Sequence, residues 1–197
     1  MTDRIRNNII AVAILLVILS IMVTIIQWQL VPLRENVNLQ QAQIESNLQR
    51  RSDLIPNLVA TVKGYAEYEE DIFDSITEAR SNLQLSLEEG NLDDISEAND
   101  NLTLALNNML SVLEDNPELK ASEHFRTLEV ELAGTENRIA VSRYYYNEAV
   151  NEYNTAIQTP PTSFFARFLG FKAAEYFEAS EEANEVPNVD LNWTKRY

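Results

Sequence analysis

Few residues in this sequence could do covalent chemistry. It has no cysteine and a single histidine, His124, held between Glu123 and Phe125. A nucleophile needs a base within hydrogen-bond reach, and a transition-metal site needs several His, Cys or carboxylate ligands at short spacing. His124 has neither, and it falls where a helix should begin, so it reads as a solvated first-turn residue. The acidic runs Glu67–Asp71 and Glu178–Glu185 carry enough carboxylate for calcium. They lack the alternating oxygen ligands and mid-loop glycine of a calcium loop, and read as solvated helix faces. No catalytic residue, metal ligand or cofactor site is expected.

A different polar set stands out. "RRSDLIPN" puts Arg50, Arg51, Asp53 and Asn57 around Pro56, inside an otherwise regular apolar repeat. Arg50, Asp53 and Asn57 share one helical face, and Arg51 falls on the apolar seam itself. A second set lies about ninety residues on: Glu136, Asn137, Arg138, Arg143, Asn147 and Asn154. The first reading is an internal polar layer that fixes helix register. The second is a contact site for another protein. Catalysis ranks third, for want of a nucleophile with its base.

These residues need long helices to position them. From Leu33 the apolar positions Val37, Ile44, Leu48, Ile55, Leu58, Val62, Ile72, Ile76, Leu83 and Leu87 recur at steps of three and four or their sums, with Gln40, Arg51, Tyr65, Glu69 and Ala79 filling the gaps. That is an amphipathic helix. The phase survives Pro56, so the proline is read as a kink in one long helix that ends at Gly90. Asn91 caps a second helix, Leu92–Asn116, stopped by Pro117. Ser122 caps a third, running to Gln158, with Phe125, Leu128, Ile139, Tyr146, Tyr153 and Ile157 on one face. Thr159–Thr162, "TPPT", ends it. "SFFARFLGFKAAEYF" reads as a short fourth helix interrupted at Gly170. Phe164, Phe165, Phe168 and Phe171 fit one face, which would plug the open end of a bundle. The alternative is a helix at a membrane interface. Tyr144, Tyr145 and Tyr146 cannot all face one core, so at least one is exposed or meets a partner.

Ile9–Ile26 is apolar but for Ser20 and Thr24. Continued to Val31 it exceeds ~30 Å, the thickness of a bilayer core, with Trp28 as an interfacial aromatic. "QWQLVPLRENV" offers no signal-peptidase site, so an uncleaved anchor is expected. Arg4 and Arg6 precede it, which favours a cytoplasmic N-terminus. Acidic residues outnumber basic ones 31 to 15; such a surface repels nucleic acid and anionic headgroups alike.

The fold class is therefore all-α: an N-terminal flank (1–8), a transmembrane helix (9–31), an elongated antiparallel three- or four-helix bundle with a long Pro-kinked first helix (32–158), and an aromatic short helix with an extended acidic tail (159–197). The unequal helix lengths leave part of the seam for the tail, a second copy or a partner.

The blocks "LQRRSDLIPNLVATVKGYAEYE" (Leu48–Glu69), "TENRIAVSRYYYNEAVNEYN" (Thr135–Asn154), "FLGFKAAEYFEA" and "VPNVDL" resemble the LemA family of bacterial membrane-anchored proteins. Two departures are Thr159-Pro160-Pro161, where relatives have an aromatic before a proline, and "RYYYN", where a more charged pair often precedes Tyr-Asn. The resemblance implies a kinked long helix in a four-helix bundle on a single-pass anchor, and no enzymatic activity. It associates relatives with magnetosome membrane formation and, by genomic company, with envelope metalloproteases. Descriptions of one relative put the large domain in the cytoplasm, opposite to the charge reading.

The function expected is a non-enzymatic scaffold of the bacterial inner membrane, self-associating as a homo-oligomer through anchor and exposed helix faces. An adaptor for a membrane protease or transporter, and a membrane-remodelling protein, are the alternatives. The expected partners are the lipid bilayer, further copies of the chain, and a membrane protease or another envelope protein; nucleic acid is not among them.

Overall fold

The computed structural model describes residues 2–64, 70–113 and 116–177. Tyr65 and Glu69 of the seam, most of the first acidic run, Glu114 and Asp115 of the second expected helix, and everything beyond Phe177 lie outside the described residues. What is described is helical, with no strand: α1 (Thr2–Lys63), α2 (Glu70–Glu89), α3 (Leu92–Leu113), α4 (Pro117–Ala121), α5 (Glu123–Gln158) and α6 (Thr162–Ala166). The chain divides into two units, one of residues up to Arg51 with Leu132–Tyr176, the other of Ser52–Glu131 with Phe177.

In the first unit α1 and α5 run antiparallel. Asn47 pairs with Ser142 and Arg51 with Glu136, so numbers rise on one helix as they fall on the other. The seam residues Val37, Ile44 and Leu48 are buried with Ile139, Tyr146, Ala149, Val150 and Tyr153. Each large apolar side chain taken out of water contributes about 1.5–3 kcal/mol. Upstream, α1 is bare: its side chains are exposed from Arg4 to Ser20, and largely so to Ile25. From Ile9 to Ile25 that is about 26 Å of uncovered apolar helix, at the short end of what crosses a bilayer core. Ile26 and Leu30 are buried in the unit, so the expected span overlaps the packed helices in its last turns.

In the second unit α2 and α3 form a helical hairpin. Gly90 joins them at φ +75°, a left-handed conformation that favours glycine. Its N–H donates to the Ser86 carbonyl, while Asn91 Oδ1 accepts from Asp93 N at 3.0 Å and caps α3. Ile55, Leu58, Val62, Phe73, Ile76, Leu83, Ile95, Leu102, Met109, Leu119, Phe125 and Leu128 are among this unit's buried apolar residues.

Pro56 lies inside α1, which runs through it unbroken. A proline there leaves the carbonyl four residues earlier without its helical donor. The Nε of Arg80, on α2, donates to that carbonyl, Ser52 O, at 2.9 Å.

Three expectations need correction. The first long helix does not reach Gly90: it ends at Lys63, where Gly64 N closes a tight three-residue turn onto Thr61 O at 3.3 Å, and α2 starts afresh at Glu70. Asn116–Pro117 not only stops a helix but starts one. Asn116 Oδ1 accepts from the N–H groups of Glu118 and Leu119, both at 3.1 Å, with Pro117 in the first helical position. The aromatic tail is helical only over α6; a turn follows, with Gly170 at φ +81°, and residues 171–177 have no regular structure.

Candidate functional site

The polar residues of the first unit form a seam and a clamp. In the seam, Asn47 Nδ2 donates to Ser142 Oγ at 3.1 Å, and that hydroxyl donates back to the Arg138 carbonyl at 2.7 Å. One helical turn along, Arg51 Nη1 meets Glu136 Oε2 at 2.8 Å; the arginine side chain is 5% exposed and the glutamate 50%. A guanidinium this buried must be paired, and the pair holds α1 to α5 in one register.

The clamp holds the stretch after Gly170 against α5. Asn154 is buried, and its amide pairs with one backbone unit: Nδ2 donates to Ala174 O at 2.8 Å, and Ala174 N donates to Oδ1 at 2.9 Å. Tyr146 Oη donates to the Glu175 carbonyl at 2.9 Å. Burial, then the Glu175 carboxylate, pushes the Tyr146 phenol up to about 12. Burial also raises Tyr153, against the opposing charge of Arg34. The Arg34 guanidinium stands 5.3 Å from the centre of the Phe171 ring, within cation–π range.

Of the residues singled out in the sequence, Arg51 and Glu136 meet each other. Asn154 binds the tail instead. Arg143 and Asn147 are half-buried on α5, while Arg50, Asn137 and Arg138 are exposed. Asp53 and Asn57 are exposed in the other unit. The aromatic plug is corrected: Phe164 is 77% and Phe168 94% exposed, with Phe165 and Phe171 half-buried. Tyr144 and Tyr145 are exposed and pack edge-to-face at 5.5 Å, while Tyr146 is buried. His124 is exposed.

Sequence reasoning missed Asn47, Tyr146 and Arg80 as polar partners. For Arg80 a signal existed: a mid-helix proline calls for an outside donor. Among the described residues, no three His, Asp or Glu side chains gather as a metal site needs. The seam and clamp hold helices and tail together and present no aligned nucleophile and base.

These features define an all-helical protein with a candidate membrane span at its N-terminal end. Residues 40–191 match the LemA family, and the chain belongs to that family. Among curated proteins it is similar to magnetosome protein MamQ 2 of Paramagnetospirillum magneticum, at 26% identity over 81% of this chain and 66% of the relative. Magnetosome protein MamQ of Magnetospirillum gryphiswaldense is 24% identical over the same shares. Protein LemA of Metamycoplasma hominis is 26% identical, over 81% of this chain and 71% of its own. The chain thus spans just under two thirds of the length of the magnetosome relatives. None of these names denotes an enzyme.

Proposed function

We propose that this chain is a non-enzymatic scaffold of the bacterial envelope, anchored in the inner membrane by the N-terminal part of α1. It self-associates through that anchor and through exposed helix faces, with the part beyond the span outside the cytoplasm. The observation that carries the reading is the uncovered apolar length of α1 from Ile9 to Ile25, continuous with a helix whose next turns are packed. Arg4 and Arg6 at its start support the orientation. The magnetosome names of two relatives fit a role in building a membrane structure.

Full-length chain purified in detergent tests the assembly. Light scattering, corrected for bound detergent, should give the mass of two or more chains. A strict monomer at high concentration overturns self-association. Cleavage of the protein by added protease in intact spheroplasts should occur; protection until lysis reverses the orientation.

The exposed Tyr144–Tyr145 pair favours a second reading, an adaptor for a membrane protease or transporter. Photo-cross-linking from position 145 should then trap one specific partner. Recovery of self-adducts alone removes the adaptor.

A further inference from the structure

α1 enters the packed unit beside an unusual piece of surface. Trp28, just after the bare apolar run, is 80% exposed. α5 returns alongside α1, so Thr159–Thr162 borders the same shallow groove as Gln29 and Leu33. Arg34 then holds Phe171. Everything from Gln29 to Arg34 lies within about 9 Å of Trp28 along the helix axis. Thr162 and Ala166 are buried and fasten α6 to the unit, while Phe164 and Phe168, four residues apart, project outward with Arg167 between them.

The charge here runs against the rest of the molecule. The chain carries a net −16 and Glu152 lines the groove, yet no acidic residue occurs between Glu152 and Glu175, where Arg167 and Lys172 are the charged residues. Exposed phenylalanines beside cations, level with an interfacial tryptophan, have the composition of a surface that sits in lipid headgroups.

We propose that Phe164 and Phe168, with Arg167 and Lys172, form a second membrane contact that inserts into the headgroup layer of the bilayer α1 enters. The occupant is lipid rather than another copy of the chain, because the patch lies where the bare helix ends and carries the charge that anionic headgroups attract. It fixes how deep and how upright the unit stands. The proposal rests on α1 being an anchor, and the test separates the two.

Full-length variants with one tryptophan each, reconstituted in phosphatidylethanolamine–phosphatidylglycerol vesicles with brominated acyl chains, give the test. Trp193→Phe leaves Trp28 as the reporter for the anchor. Adding Trp28→Phe and Phe168→Trp reports the patch, with Phe164→Trp as an independent second variant. Tyr144→Trp in the same background is the control. Ser142 pairs with Asn47, which puts position 144 about 25 Å further along the unit. Trp28 and the tryptophans at 168 and 164 should lose most of their emission to bromine, and the one at 144 should keep it. Quenching at 28, with 164 and 168 no more quenched than 144, overturns the proposal and leaves the anchor standing. No quenching at 28 overturns both. Blue-shifted emission at 168 that bromine does not touch means protein covers the patch, which also overturns the proposal. Trp28, Tyr144, Phe164 and Phe168 are exposed, and retained helicity by circular dichroism confirms the fold.

Discussion

Arg80 donates from Nε to the carbonyl oxygen of Ser52 at 2.9 Å, filling the place of the N–H that Pro56 lacks. A proline in a helix interior costs about 3 kcal/mol or more, through steric clash and the orphaned carbonyl. A buried acceptor left unpaired costs about 1–3 kcal/mol, and a charged donor makes a stronger bond than a neutral one. The guanidinium from α2 therefore offsets part of the proline's cost and ties α1 to α2 at that point.

Arg80→Met should destabilise the full-length protein by about 1–3 kcal/mol, read by chemical unfolding in detergent. In a Pro56→Ala background the helix supplies its own N–H to Ser52, and the same substitution should cost much less. Equal losses in both backgrounds would show that the two residues are not coupled.

Asn154→Ala removes both bonds to Ala174. Hydrogen–deuterium exchange over 171–177 should accelerate, and the Ala174 amide should lose protection first. The local loss should be about 1–3 kcal/mol for the two bonds together, with little change in α2 and α3. Unchanged exchange in 171–177 contradicts the clamp.

Tyr146 ties stability to alkaline pH. Its folded pKa, about 12, lies above the ordinary tyrosine value of 10.0. The folded state therefore keeps the phenolic proton after the unfolded chain has lost it. The stabilisation is complete below pH 10 and disappears as pH rises through about 12. Melting temperatures should fall over that window, and Tyr146→Phe should fall less steeply. The variant should also lose the highest-pH step of tyrosinate absorbance. A melting profile for Tyr146→Phe parallel to wild type above pH 10 rules the linkage out.

The fold was largely legible because the apolar steps in α1, α2, α3 and α5 follow helical spacing and those residues are buried. The end of α1 at Lys63 was not, since the apolar steps carry the same phase past it. Arg51 announced its own need for a partner, because a charge on an apolar seam must be neutralised, and Glu136 answers it. Asn47 flanks the seam and gave no such sign. Asn154 binds backbone in an irregular segment, a pairing that side-chain periodicity cannot encode. The phenylalanine spacing described a face that exists only while the chain is helical, and α6 stops at Ala166.

The unbroken course of α1 from its bare apolar stretch into its pairing with α5 has a mechanical corollary. A helix without an interruption has one rotational phase, so the direction each side of the bare stretch faces is geared to the side that α5 grips. One residue inserted between Leu30 and Val37 would turn one end by about 100° against the other. The rotational setting of the bare stretch is thus fixed by how α1 packs on α5.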